Sequence, residues 1–337
     1  MDAPFTAAPD RRFAALGRPT TSVGVVTVVP VDIDLARAAI TPYLRRTPTL
    51  RTVFDTVDGP LEVVLKLEYT QRGGCFKPRG SLWATLHARD QGVLTDAGVL
   101  VASGGNAAIG ATVAARIVGV PVTVVIPETA PPVKIDALRA AGARIHLIGQ
   151  RYQEAADAAE ELAEQTGALA LHAYDLPDVV AGAGTIGLEI IDDVPGPLTT
   201  VVCVGGGGLL AGLTATLRPR DRLVGVEPLG ASCLHQALAA GTPVPVELES
   251  VAADSLGATR VGDLCWDAVA GNPAVDSVLV TDDQIIAARR MLWDSHRILV
   301  EHGTATAVAG VVSGRIRPQP DSTLCIVLCG ANTTVAV

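Results

Sequence analysis

The sequence predicts an α/β fold in which mostly parallel sheets are covered on both faces by helices, and three observations carry that prediction. Nearly half of the 337 residues are hydrophobic while only 3% are aromatic, so the core has to be built from Ala, Val, Leu and Ile. Short Val/Ile/Leu runs alternate with Ala-rich stretches of helical period, the pattern of strands buried on both faces. The connections between them are short, which gives a βαβαβ rhythm. At this length two domains are expected.

The elements follow in order. Residues 1–30 mix Pro, Thr, Ala and charge without a period and read as an N-terminal extension. From Asp32 to Ile40 the chain reads as a helix with an acidic first turn. Leu61 to Leu67 is strand-like and leads into a glycine-flanked turn around Lys77, after which Ser81 to Gln91 is helical. Strands at Val99–Ala102, 120–127 and 144–148 alternate with helices at 107–119, 133–141 and 152–167. Helices are expected at 185–192, 209–217, 282–296 and 304–313, and strands at 199–204, 223–227 and 323–328.

Composition also excludes function classes. A formal net charge of −9, with thinly spread Lys and Arg, gives no basic stripe for nucleic acid. No apolar run reaches membrane-spanning length and no apolar signal core opens the chain, so a cytoplasmic protein is expected. The six cysteines form no C-x-x-C pair, so no zinc site is expected.

Four segments carry chemistry. Lys77 lies between Phe76 and Pro78 in a rigid turn; burial disfavours ammonium, and a neutral lysine amine forms Schiff bases with carbonyl compounds. A surface lysine in a loop is the ordinary alternative. Gly205, Gly206, Gly207 and Gly208 follow a strand and precede a helix, leaving backbone N–H groups open to a phosphate. Gly206, Gly208 and Ala211 also match G-x-G-x-x-A, with Glu227 placed as a ribose-binding acid, which keeps a dinucleotide reading open. Ser103, Gly104, Gly105 and Asn106 end a strand and suit a carboxylate, or simply cap the helix behind them. Cys329 follows the last strand and either faces the same crevice or is a structural thiol.

Taken in this order the segments resemble the fold-type II enzymes dependent on pyridoxal phosphate (tryptophan synthase beta-like), in particular the serine/threonine dehydratases. Phe76-Lys77-Pro78-Arg79-Gly80 is similar to that family's Ser-Phe-Lys-x-Arg-Gly, with Cys75 in place of Ser, and Arg46-Thr47-Pro48-Thr49-Leu50 to its Thr-Pro-Leu region. The resemblance implies pyridoxal 5′-phosphate bound through Lys77, with Phe76 near the ring. It further implies the phosphate on Gly205 to Gly208, the phenolic oxygen on Asn106 and the ring nitrogen on Cys329. Ser103, Gly104, Gly105 and Asn106 would bind the substrate carboxylate. Glu301, in Glu301-His302-Gly303-Thr304-Ala305, would lie beside the cofactor, although a helix N-terminal carboxylate is an equal account. Ala107 and Ala108 stand where many dehydratases have His followed by Ala or Gly, which suggests room for a larger β-substituent. Some relatives bind a divalent cation where Glu227 and Cys233 stand; a thiol in place of an oxygen ligand weakens that site, and no metal is expected.

The implied reaction is β-elimination from L-threonine, L-serine or a related β-hydroxy amino acid to a 2-oxo acid and ammonia. Lys77 is the α-proton base and the cofactor phosphate assists departure of the hydroxyl. A neutral partner at the ring nitrogen makes the ring a weaker electron sink and favours elimination. Racemisation, with Ser103 protonating the opposite face, and β-replacement are the nearest alternatives; a nicotinamide-dependent dehydrogenase is a distant one. Residues 31–97 and 173–337 are expected to form the large cofactor domain and 98–172 a small substrate-loop domain, with a homodimer as the assembly.

Overall fold

The computed structural model describes residues 30–333; residues 1–29 of the expected extension lie outside them. After α1 (Pro30–Ile40), β1 (Thr49–Thr56) and β2 (Gly59–Lys66) form an antiparallel hairpin closed at the Thr56–Gly59 pair. α2 (Pro78–Asp90) then leads into a four-stranded parallel sheet in the order β5-β4-β3-β6. Its strands are β3 (Val99–Ala102), β4 (Val122–Ile126), β5 (Arg144–Leu147) and β6 (Leu169–Ala170), and α3 (Asn106–Val118), α4 (Pro132–Ala140) and α5 (Tyr152–Thr166) connect them.

α6 (Pro177–Asp193) returns the chain to a six-stranded sheet in the order β1-β2-β10-β7-β8-β9, parallel except for β1. β7 (Leu198–Cys203), β8 (Arg222–Pro228), β9 (Val275–Val280) and β10 (Thr323–Val327) complete it. α7 (Gly208–Thr214), α8 (Cys233–Ala240), α9 (Asp263–Val269), α10 (Asp282–His296) and α11 (His302–Val312) surround it.

The aliphatic runs behave as their composition demands. Every residue of β7 is buried, and α11 is buried from Gly303 to Val311 because it packs against the large sheet. Each such Leu, Ile or Val side chain contributes about 1.5–3 kcal/mol of burial free energy. Where helices must approach closely, glycine faces backbone: a Cβ on Gly182 would stand 2.5 Å from Arg79 O, and one on Gly212 would stand 2.5 Å from Val180 O. These contacts lock α2 and α7 against α6.

Next to this seam lies a buried ion network. Arg79 uses all five of its N–H groups: two on Glu68 (2.8 and 2.8 Å), two on Glu189 (2.8 and 2.9 Å) and one on Thr185 Oγ1 at 3.2 Å. Lys66 Nζ completes it with Glu189 Oε2 at 2.6 Å and Thr47 O at 2.7 Å, and the Thr47 hydroxyl donates to Glu68. Burial works against the charge of Arg79, but Glu68 and Glu189 more than offset it and raise its pKa. The Arg46-Thr47-Pro48 and Lys77-Pro78-Arg79 motifs therefore meet in one network.

Candidate active site

The turn that carries Lys77 is built to meet the end of β10. Gly73 and Gly74 take φ of 79° and 70°, the left-handed region open to glycine. A Cβ on Gly74 would stand 2.6 Å from Asn332 Oδ1. Beyond them Cys75 and Gly330 form an antiparallel bridge: Phe76 N–H donates to Cys329 O and Ala331 N–H to Gly74 O, both at 2.9 Å. Lys77 and Cys329 are thereby fixed side by side. Pro78 opens α2 at the position where its missing N–H is no loss, which leaves Lys77 at the helix N-terminus.

Lys77 Nζ donates to Ala173 O at 2.7 Å and lies 4.9 Å from the centroid of the Phe76 ring. Burial pushes its pKa below the usual lysine value, and the neighbouring thiols and Glu301 oppose that only in part. The positive end of α2 acts in the same direction as burial. The amine is set up as a nucleophile.

At the end of β7 the four glycines form a cradle. Gly207 has φ 89°, and a Cβ on it would collide with Cys265 Sγ; one on Gly206 would collide with the Tyr174 ring. Among the described residues the N–H groups of Gly206, Gly207, Gly208 and Leu209 find no acceptor. Four orphan donors at a helix N-terminus are an anion site. The segment 172–175 ties this cradle to the lysine. Ala173 O holds Lys77 and the Tyr174 ring lies on Gly206, while Asp175 accepts from Asp263 N and Leu264 N at 2.9 Å each.

β3 ends at the third segment. Ser103 Oγ accepts from Gly105 N–H at 3.2 Å and keeps its own proton for a ligand. Asn106 is held on both sides, its Nδ2 donating to Glu301 Oε1 at 2.7 Å and its Oδ1 accepting from Asn332 Nδ2 at 2.7 Å. One Asn106 N–H remains free for an oxygen in the crevice. Glu301 makes no cap to its own helix; it orients Asn106. Burial raises its pKa to about 7, against the Asn106 hydrogen bond. Ala108 is fully buried and Ala107 nearly so, both in the core of the small sheet.

Cys329 is buried at the end of β10, with Sγ 3.3 Å from Cys203 Sγ and 3.2 Å from Thr304 Oγ1. Glu227 is turned away from any ribose. Fully buried, it accepts from Leu234 N and His235 N at 2.8 Å each and caps α8, while Cys233 Sγ donates to Gly205 O at 3.2 Å. This removes the dinucleotide acid. Among the described residues no group of three or more His, Cys, Asp or Glu is placed to hold a metal ion, and no helix is long and apolar enough to cross a membrane.

Sequence reasoning missed Ala173, Tyr174, Asn332, Thr304 and Cys203. Ala173 acts through its backbone oxygen, which no side-chain pattern reveals. Thr304 sits inside the Glu301–Ala305 motif already noted, and Asn332, three residues after Cys329, was readable as a polar residue beside it.

A ligand that satisfies this crevice carries a phosphate at one end and a carbonyl within reach of a lysine, with a polar oxygen and a weakly basic nitrogen between; the orphan N–H groups and the free Asn106 donor fit pyridoxal phosphate. The fold and site are those of an enzyme that works through that cofactor. The chain belongs to the family described as pyridoxal-phosphate dependent enzyme, whose model matches residues 40–330. It is 34% identical over 310 residues to a catabolic L-threonine dehydratase of Staphylococcus aureus, covering 89% of this chain and 88% of that one. It is 35% identical to an L-threonine ammonia-lyase of Geobacter sulfurreducens, over 87% of this chain and 72% of that one. Among solved structures, serine racemase from Dictyostelium discoideum superposes with a TM-score of 0.80 at 30% identity, covering 92% of this chain and 100% of that one. Maize serine racemase gives 0.81 at 28% identity, covering 92% of this chain and 95% of that one.

Proposed function

We propose that this enzyme is an ammonia-lyase that converts L-threonine, L-serine or a close β-hydroxy relative to the 2-oxo acid and ammonia. The observation that carries the reading is the pairing of Lys77, an amine held on a backbone carbonyl, with the Cys329 thiol at the end of β10 where other chemistries call for a carboxylate. Bound pyridoxal phosphate supplies a carbonyl that condenses with amines and a sink for the electron pair left when a Cα–H bond breaks.

The chain's own groups do the rest. Gly206 to Leu209 would hold the phosphate through their N–H groups, and Asn106, steadied by Glu301 and Asn332, would hold the phenolic oxygen. Ser103, Gly104 and Gly105, with Asn106, receive the substrate carboxylate. Lys77 would hold the cofactor's carbonyl end and, once released from it, would take the α-proton of the substrate, a role its lowered pKa favours. Loss of water from the substrate and its later return across C=N leave a 2-oxo acid and ammonium, with no change in oxidation state.

Racemisation is the second reading, favoured by the Ser103 hydroxyl proton, which is uncommitted. The six-stranded sheet, with residues 31–97 and 173–337, serves as the cofactor domain and residues 98–172 as the substrate-loop domain of a cytoplasmic homodimer. The test is direct. The purified protein is expected to absorb in the visible, to lose that band to borohydride, and to release oxo acid and ammonia in equal amounts from L-threonine or L-serine. D-amino acid without ammonia would establish the racemase instead, and the absence of a reducible band would end both readings.

A further inference from the structure

Cys329 stands in a chain of hydrogen bonds whose direction can be counted. Cys203 closes β7, Cys329 follows β10, and the two strands are parallel neighbours, so their sulfurs meet at 3.3 Å. The Thr304 hydroxyl has one proton. It goes to Gly330 O at 2.8 Å, while the same oxygen accepts Gly330 N–H at 3.0 Å. Thr304 Oγ1 therefore meets Cys329 Sγ, 3.2 Å away, only as an acceptor.

The Cys329 S–H thus has three directions open to it, toward Cys203, toward Thr304 or into the crevice, and only donation from Cys203 leaves it free for the last two. The Cys203 S–H has one sulfur acceptor in reach, Cys329. Cys203 is nearly inaccessible to solvent, and its hydrogen bond to Cys329, with burial, raises its pKa well above that of a free thiol. It remains a protonated donor across the range in which the enzyme works.

We propose that Cys203 is a positioning residue for the ring-nitrogen partner. It donates its S–H to Cys329 Sγ and so commits Cys329 to donate in turn, to Thr304 in the cofactor-free protein and to the cofactor's ring nitrogen when loaded. This rests on the reading of Cys329 as that partner. A sulfur that already accepts a hydrogen bond is a stronger donor, by about 10–30% for each bond in such a chain. Thr304 is a parking acceptor, so the Cys329 proton is never left unbonded when the cofactor departs.

The relay is read by the infrared S–H stretch, with cofactor-free and loaded protein compared in the wild type and in Cys203→Ala, Cys203→Ser and Cys329→Ala. Cys329→Ala assigns the Cys329 band. Loading wild type with pyridoxal phosphate is expected to move that band to lower frequency as its acceptor changes. Cys203→Ser, which still donates, keeps the movement; Cys203→Ala reduces it and weakens cofactor binding by about twofold. An identical Cys329 band in wild type and Cys203→Ala, in both the free and the loaded state, overturns the relay. The underlying reading fails separately: in that case Cys329→Ala leaves the visible spectrum of the bound cofactor and its pH titration unchanged.

Discussion

Arg79 gives the sharpest test of how the lysine turn is held. It sits two residues beyond Lys77, and its guanidinium spends all five donors on Glu68, Glu189 and Thr185. With Lys66 the buried cluster holds two cations and two carboxylates and is neutral. Arg79→Met strands one negative charge in a dry seam, a change that costs about 3–5 kcal/mol. Total stabilities run at about 5–15 kcal/mol, so this is a large fraction. Arg79→Lys keeps the charge but brings three donors for five. Two charge-assisted bonds go unmade, which costs about 3 kcal/mol. Urea unfolding of the loaded enzyme, followed by circular dichroism, measures both. Adding Glu68→Gln to Arg79→Met restores neutrality and is expected to recover at least half of the loss. Were Arg79→Met to unfold within about 1 kcal/mol of wild type, the cluster would be behaving like a surface pair and the reasoning would be wrong.

Lys77→Ala is expected to abolish the borohydride-sensitive band and to lower turnover by about 10²–10⁴-fold, the usual weight of a general base; a band unchanged by the substitution would point to another lysine. Gly207→Ala forces a side chain onto φ 89° and into Cys265. The strain is about 1–3 kcal/mol, read as a raised cofactor Kd and a lowered Tm, and wild-type values for both would refute it. Glu301 has its pKa raised to about 7 by burial, against the Asn106 hydrogen bond. A carboxyl raised in the folded state favours the protonated form. Its contribution is therefore full below the unfolded value near 4.5 and is lost as pH rises through about 7, by about 3 kcal/mol at most. Glu301→Gln should flatten the fall in stability between those pH values, and an unaltered slope would show that Glu301 does not titrate there.

The elements legible in the sequence were those whose ends are set locally. β3, α3, β4, α4, β5 and α5 each carry their own period and their own glycine or proline punctuation, and all six lie where expected. α8 and α9 did not read as helices because their caps come from elsewhere, Glu227 for α8 and Asp175, 88 residues earlier in the chain, for α9. α6 begins at Pro177, ahead of the expected 185, and the added stretch contains Gly182 and Gly184. In the structure those glycines let α6 touch the backbones of α2 and α7. The site follows the same rule. Lys77, Gly205 to Gly208, Ser103 to Asn106 and Cys329 lie at strand or helix ends with local signatures, whereas Ala173, Tyr174 and Cys203 act only through neighbours that folding supplies.

What unites the crevice is the suppression of charge. Burial lowers the Lys77 pKa and raises those of Cys75 and Glu301, while the hydrogen bond with Cys329, and then burial, raises that of Cys203, so each group leans toward its neutral form. Lys77 is given a carbonyl oxygen as partner, and Glu301 is given an amide N–H, so neither forms an ion pair with the other. The glycine segment, Gly205 to Leu210, contains no cationic side chain and offers backbone N–H groups at the N-terminal end of α7. A dianion bound there is offset by dipoles that stay fixed through the reaction. Lys77, Cys203 and Glu301 thus share one electrostatic setting, in which the neutral amine and the protonated thiol and carboxyl are favoured.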